Sequence, residues 1–187
     1  MHIVVTAFTS LDGVVQAPGG PDEDRDGGFT HGGWSMPYFD PEVMGAAWTD
    51  VIGGADAMLF GRRTWEVSGP AWSAQAGDPF ADRLNGLPKY VASRTLTDAG
   101  AWANSTVLTD LGELPEGDGR LVVMGSASVV RELVDADLVD EYRLMIEPVL
   151  LGGGKSIFPQ HGNSRGLALV EATTAATGTL VCTYRRG

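Results

Sequence analysis

Three short segments bring glycine, hydroxyl and cationic residues together where an apolar run ends. In Phe60-Gly61-Arg62-Arg63-Thr64-Trp65-Glu66 a short apolar stretch stops at glycine and a helix-forming run begins at once. The start of a helix offers free N–H groups to an anion, and glycine allows close approach. Arg62, Arg63 and the Thr64 hydroxyl add charge-assisted donors, a set suited to pyrophosphate or a phosphomonoester. Spacing alone equally fits an exposed, Arg-rich helix start. Ser93-Arg94-Thr95 and Gly125-Ser126-Ala127-Ser128 repeat the theme after two further apolar runs. In an open α/β sheet, ligands bind beyond the carboxyl ends of the strands, so the three segments together suggest one ligand with several phosphates lying along one sheet edge.

These junctions need a sheet to hold them. Residues 2–8 are rich in β-branched residues and predict a buried first strand, ending at the turn-like Ser10-Leu11-Asp12-Gly13. Residues 17–33 are mostly glycine, proline and acids, and so long a loop in a compact domain is either disordered or a functional lid. Residues 41–52 predict a helix capped by Asp40, with Val43, Ala47 and Val51 on one face. Strands are predicted at 55–60, 90–93, 106–109, 121–124, 141–148 and around Ile157-Phe158. Helices are predicted from 62, over 79–84 and over 127–134, and residues 167–174 pair with 179–185 as a terminal hairpin. Strands alternating with helices before a hairpin argue for an α/β domain with a mixed sheet and helices on both faces.

The chain has 187 residues, one domain's worth, with 43% hydrophobic and 20% charged residues, as expected of a globular protein. Thirteen Lys and Arg against 24 Asp and Glu give a net charge of −11, which disfavours nucleic acid and anionic membranes as partners. No apolar run approaches the roughly 18 residues needed to span a bilayer, and no leader-like segment is evident, so a cytoplasmic protein is expected. The single cysteine, Cys182, fits a reducing compartment and reads as a core residue. Charge is unevenly spread: through residue 60 the only cation is Arg25, whereas Arg62, Arg63 and Arg94 follow strand ends.

Other residues admit two readings. Trp34, Tyr38 and Phe39 are placed to stack on a flat substrate ring or to anchor the loop to the core. His31 reads as a proton donor over a pocket or as an exposed loop residue. Asp40 and Glu42 suit a helix start. Gly154-Lys155-Ser156 copies the end of a phosphate-binding P-loop, but the required earlier glycine is Val149, so close approach or a bulge explains the glycines better. His2, His31 and His161 lack metal-site spacing, and no metal is expected.

Gly61-Arg62-Arg63-Thr64-Trp65-Glu66, residues 89–93 and Val122-Val123-Met124-Gly125 resemble the dihydrofolate-reductase-like family over nearly the whole chain. Ser10-Leu11-Asp12-Gly13 and Pro148-Val149-Leu150-Leu151-Gly152-Gly153-Gly154 look more like one branch of it. That branch includes the reductase half of the bifunctional riboflavin-biosynthesis deaminase-reductase.

The resemblance implies a three-layer fold and an NADPH-dependent reductase acting on a small heterocyclic or ribosyl-pyrimidine acceptor, in the manner of 5-amino-6-(5-phosphoribosylamino)uracil reductase. By the same resemblance, Gly61, Arg62, Arg63 and Thr64 hold the pyrophosphate. Arg63 and Arg94 hold the adenosine 2′-phosphate, with Ser93 and Thr95 assisting. Gly125, Ser126, Ala127, Ser128 and Val129 pass along the pyrophosphate and nicotinamide ribose, while Ala7 and Phe8 frame the nicotinamide. Asp12 is the candidate to orient substrate or relay a proton, although a turn residue of this type is as readily structural.

Folate reducers carry an acid where Gly45 stands and an arginine where Leu87 stands. A dihydrofolate or other pteridine reductase is therefore the second reading, and a nucleotide-binding module without turnover the third. Arg83 or Lys155 is available to a substrate phosphate. The family resemblance and the late apolar strand at 144–151 imply a homodimer.

Overall fold

The computed structural model of the protein describes residues 1–159, 162 and 164–187, so the expectation for His161 falls outside it. Strand β1 is His2–Ser10, longer than the β-branched run alone predicts because Thr9 and Ser10 continue the ladder opposite Ile146 and Glu147. Next come α1 (Val43–Gly53), β2 (Ala57–Gly61), α2 (Arg62–Ser73) and α3 (Pro79–Gly86). They are followed by β3 (Lys89–Ala92), β4 (Ser105–Leu108), β5 (Arg120–Met124) and α4 (Ala127–Asp135). The chain closes with β6 (Glu141–Glu147), β7 (Leu167–Thr174) and β8 (Leu180–Arg186).

The eight strands form one sheet in the order β4-β3-β2-β5-β1-β6-β8-β7. The first six are mutually parallel, and the terminal hairpin adds β8 antiparallel to β6 and β7 antiparallel to β8. Alternation along the strands splits the core. Ile3, Val5, Leu59 and Val123 pack under α4 through Val130 and Leu133. Val4, Met58, Phe60 and Val122 face the other way, against Ile52 of α1, Trp65 of α2 and Leu84 of α3. The result is the expected three-layer dihydrofolate-reductase-like α/β fold: a mostly parallel sheet flanked by helices, with a C-terminal antiparallel hairpin. After β1 the chain runs outward through β2, β3 and β4, then returns to place β5 between β2 and β1. That reversal opens a crevice beyond the carboxyl ends of β2, β5 and β1, where such sheets take ligands.

Two expectations need correction. Asp40 caps the start of α1, its Oδ1 accepting from the amides of Glu42 (2.9 Å) and Val43 (3.1 Å) and its carbonyl from Met44 (2.9 Å), but the regular helix begins two residues later than predicted, at Val43. Its buried face is Met44, Val51 and Ile52, with Trp48 packed beside them, so the stripe at 43, 47 and 51 is offset by one residue. Ile157-Phe158 is not a strand. This segment makes only an isolated bridge between Val14 and Ser156, while Ile157 plugs into the core under α4. Cys182 is buried and free, as expected.

Candidate active site

The two glycine junctions are stitched together. Ser126 takes a left-handed conformation (φ 56°, ψ 60°) directly after Gly125 (φ 57°), which turns its hydroxyl back across the sheet edge. That hydroxyl accepts from the Gly61 amide at 2.9 Å and donates to the Met124 carbonyl at 3.1 Å, while the Gly125 amide donates to the Thr6 carbonyl. The ends of β2 and β5 and the middle of β1 thus form one ledge. Gly61 suits the tight junction, since a Cβ would sit 3.2 Å from Val129 Cγ2.

Above the ledge lies a cavity of about 870 Å³. Thr6, Ala7 and Phe8 of β1, Thr64 of α2, and Gly125, Ser126 and Ala127 supply its floor and one wall. The opposite wall is aromatic. Phe8 meets Trp48 edge-on at 5.1 Å and Phe39 at 6.3 Å, and Trp48 meets Trp72 at 5.6 Å. Residues 17–24 cover the cavity, and Arg63 and Lys155 stand at its rim.

The loop over residues 17–33 is therefore a folded cover. Gln16 fixes it: its side-chain amide donates to the carbonyls of Asp24 (3.1 Å) and Asp26 (3.0 Å), and its Oε1 accepts from the Lys155 amide (3.1 Å). Lys155 Nζ reaches Asp24 at 2.6 Å and Asp26 at 3.0 Å, and Asp26 also pairs with Arg63. The Arg63 guanidinium and the Lys155 ammonium beside Asp26 pull its carboxyl down to about 2. Arg63 lines the cavity as expected, but with its charge already engaged by the cover.

Of the other residues singled out in the sequence, Ala7, Phe8, Thr64, Gly125, Ser126, Ala127 and Phe39 converge on the cavity. Gly61 and Val129 are packed behind the ledge. Arg62 pairs with Glu66 at 3.0 Å, and Ser128 is exposed. Ser93, Arg94 and Thr95 lie one strand further along the same sheet edge, outside the cavity lining. Arg83 is taken up by the carbonyls of Gly53 and Ala55.

Trp34 and Tyr38, unlike Phe39, are absent from the cavity lining. Trp34 is buried with Val14, Ala17 and Phe29 and donates to the Gln16 carbonyl at 2.7 Å, and the Tyr38 carbonyl receives Thr177 and Thr179. Both anchor the loop. His31 sits in a shallower depression beside the glycines at 152–154. Asp12 is absent from the cavity lining. Its carboxylate accepts from Ser10 Oγ (2.6 Å) and the amides of Leu151 and Gly152 (2.8 Å for the latter), contacts that lower its pKa and tie the β1 turn to the glycine-rich segment. The glycines there permit close approach: a Cβ on Gly154 would lie 2.6 Å from Val14.

One further group had no signal beyond an acid standing before Pro148 and after the apolar Leu144-Met145-Ile146. Glu147, at the end of β6, is fully buried, and Ser35 Oγ, which lines the cavity, donates to its Oε1 at 2.6 Å. Its Oε2 has no hydrogen-bond partner among the described residues. Burial pushes this carboxyl up to about 7, against a smaller opposing effect of the Ser35 hydrogen bond.

A doubly covered, mostly parallel sheet with a ligand-sized cavity at its point of strand reversal is a dihydrofolate-reductase-like reductase domain in architecture. Residues 1–181 match the RibD C-terminal domain, and the chain belongs to that family of reductase domains. It is 26% identical over 192 residues to the uncharacterized protein YyaP of Bacillus subtilis (strain 168), covering 98% of this chain and 94% of that one. Among solved structures, a protein named for riboflavin biosynthesis from Shewanella sp. PV-4 superposes with a TM-score of 0.75 at 22% identity, covering 100% of this chain and 99% of its own. A pyrimidine reductase-like protein from Corynebacterium diphtheriae gives 0.61 at 13% identity, covering 100% and 92%. No helix among the described residues is long and apolar enough to cross a membrane, and no cluster of metal-ligating side chains occurs among them.

Proposed function

We propose that the protein is an NADPH-dependent reductase that passes hydride to a small heterocyclic or ribosyl-pyrimidine acceptor, of the 5-amino-6-(5-phosphoribosylamino)uracil reductase type. The observation that carries this reading is the cavity built on the ends of β2 and β5 and the middle of β1, which joins a glycine-and-hydroxyl ledge to an aromatic wall. The residues present fit the cofactor. Gly125 faces Thr64 with room for a phosphate edge, since a Cβ there would meet nothing nearer than 3.7 Å. Arg63, in the first turn of α2, and Arg94, just beyond β3, follow neighbouring strands and would hold a 2′-phosphate once Arg63 exchanges Asp26 for it. Bound NADPH supplies the hydride. Ala7 and Phe8 hold the flat ring at the end of β1, Thr64 and Ser126 orient phosphate and ribose, and residues 17–24 exclude water.

Thermal unfolding tests the reading. At a hundredfold excess over Kd, a ligand specific for the native state adds about 2.7 kcal/mol, or roughly 5–10 °C in midpoint for a chain of this size. NADPH is expected to give such a shift and NADH a smaller one, and the preference should vanish in the variant combining Arg63→Ala with Arg94→Ala. Equal shifts in wild type and variant would remove the 2′-phosphate assignment.

The protein is further proposed to act as a homodimer through its terminal hairpin. Every residue of β7 is exposed, including Leu169 (56%) and Val170 (49%), and β7 forms a sheet edge. Light scattering should give twice the chain mass for wild type and the single-chain mass for Leu169→Asp with Val170→Asp.

A further inference from the structure

Hydride transfer to carbon leaves an electron pair on the neighbouring atom of the acceptor, and that atom must take a proton. The turn residue Asp12 does not meet this need: it lies outside the cavity lining and its carboxylate is engaged by three donors. We propose that Ser35 and Glu147 are the proton-delivery pair of this site, with Ser35 Oγ giving its proton to the acceptor and Glu147 restoring it. This rests on the reductase reading above.

Geometry supports the pairing. Ser35 lines the cavity beside Met36 and Phe39, close to the end of β1 where Ala7 and Phe8 also face the cavity. Glu147 stands directly behind Ser35, opposite Ser10 in the sheet register, with no exposure to solvent. No cation is placed to compensate it. Arg143, on the same face of β6, is tied to Asp50 and Glu141, and Asp12 is held by Ser10 and two amides. Asp40, beyond Tyr38, spends its carboxylate on the amides of Glu42, Val43 and Ala176. Tyr38 contributes its carbonyl to Thr177 and Thr179, and Thr179 fills the space on the β8 side. An unpaired carboxyl in such surroundings is held protonated near neutral pH. A site built only for stability would place an amide or an apolar side chain here.

The step balances. As hydride adds to the electrophilic carbon, the O–H bond of Ser35 breaks and its proton goes to the atom that received the electron pair. The Glu147 carboxyl O–H breaks in turn and its proton passes across the 2.6 Å contact to Ser35 Oγ. Glu147 is left as a carboxylate and is reprotonated from solvent before the next turnover. The same short contact serves either direction of donation.

The test uses the full chain with NADPH and 5-amino-6-(5-phosphoribosylamino)uracil, following kcat from pH 5 to 9, with Glu147→Gln and Ser35→Ala beside wild type. Wild type is expected to lose kcat about tenfold per pH unit above about 7. Both variants should fall by roughly 10²–10⁴-fold in kcat, with NADPH affinity unchanged, and Glu147→Gln should lose the alkaline limb. Carboxyl ¹³C NMR of the free protein gives a readout without turnover: one Glu should titrate near 7, move higher in Ser35→Ala and vanish in Glu147→Gln. Variants that keep kcat within threefold of an active wild type, with the same pH profile, overturn the pair alone. Failure of wild type to bind or oxidise NADPH overturns the reductase reading and the pair with it.

Discussion

Glu147→Gln is expected to make the protein more stable at pH 8, by about 2–3 kcal/mol or roughly 4–12 °C in unfolding midpoint, and to change it little at pH 4.5. The sign follows from proton counting. In the folded chain the Glu147 carboxyl titrates near 7 because burial disfavours its charge, whereas an unfolded glutamate titrates near its usual value of about 4.3. Between those limits the native state holds more protons than the unfolded state, so stability falls as pH rises and the full loss is present above 7. Glutamine keeps an oxygen for Ser35 Oγ and carries no charge to desolvate, while its amide N–H groups inherit the unpartnered position of Oε2 and hold the gain below the full cost of the buried charge. Urea unfolding of both proteins at pH 5 and pH 8 checks this, and a difference independent of pH would contradict it. A substitution that stabilises the fold while stopping turnover is what an acid kept for chemistry should show.

Lys89→Met should act in the opposite direction, costing about 3 kcal/mol. Lys89 is 1% exposed, and its ammonium donates to the carbonyls of Asn85 (2.8 Å), Leu87 (2.8 Å) and Ala103 (3.1 Å) while standing 4.7 Å above the Trp102 ring. These contacts clamp the exit of α3 to the segment entering β4. Burial brings the ammonium down to about 8, still charged at neutral pH. Methionine fills the volume but leaves three carbonyls without their donor, each a desolvated acceptor. Trp102→Phe leaves the three carbonyls their donor but removes the ring's hydrogen bond to Asn85 Oδ1 together with part of its buried volume, and should cost about 2 kcal/mol. Equal costs for the two variants in denaturant unfolding would show that ring packing, and not the carbonyl cage, holds this corner.

What could be read from the sequence divides along physical lines. Strands β1, β2 and β5 are legible because apolar runs on a sheet buried on both faces must end abruptly, and Gly61 and Gly125 mark where the last two stop. The ledge residues follow from the same local rule. The cover does not, because its course is set by contacts between residues far apart in the chain. Gln16 with Lys155, Asp26 with Arg63 and Tyr38 with Thr177 leave no periodicity to detect. The loop's irregular composition says only that something other than regular structure must hold it. Trp48 escaped for a different reason: on α1 the stripe at 43, 47 and 51 and the stripe at 44, 48 and 51 are nearly equivalent, and only packing chooses. Glu147 carries no local mark, since its meaning lies in burial, and burial is a property of the assembled sheet.

The way Gln16 holds the cover has a consequence for how this scaffold diversifies. One side-chain amide fastens the loop through the backbone carbonyls of Asp24 and Asp26 and through the Lys155 amide, so those three attachments ask nothing of side-chain identity. Pro18, Gly19, Gly20, Pro21, Asp22 and Glu23, which border the cavity, lie between the anchor and its attachments. Within that stretch Glu23 ties the turn by accepting from the amides of Gly19 (2.7 Å) and Gly20 (3.1 Å), and the other side chains carry none of the closure's hydrogen bonds to Gln16. Under the proposed reductase reading, changes in acceptor preference would be written first in this hexapeptide, at positions outside the regular elements of the fold.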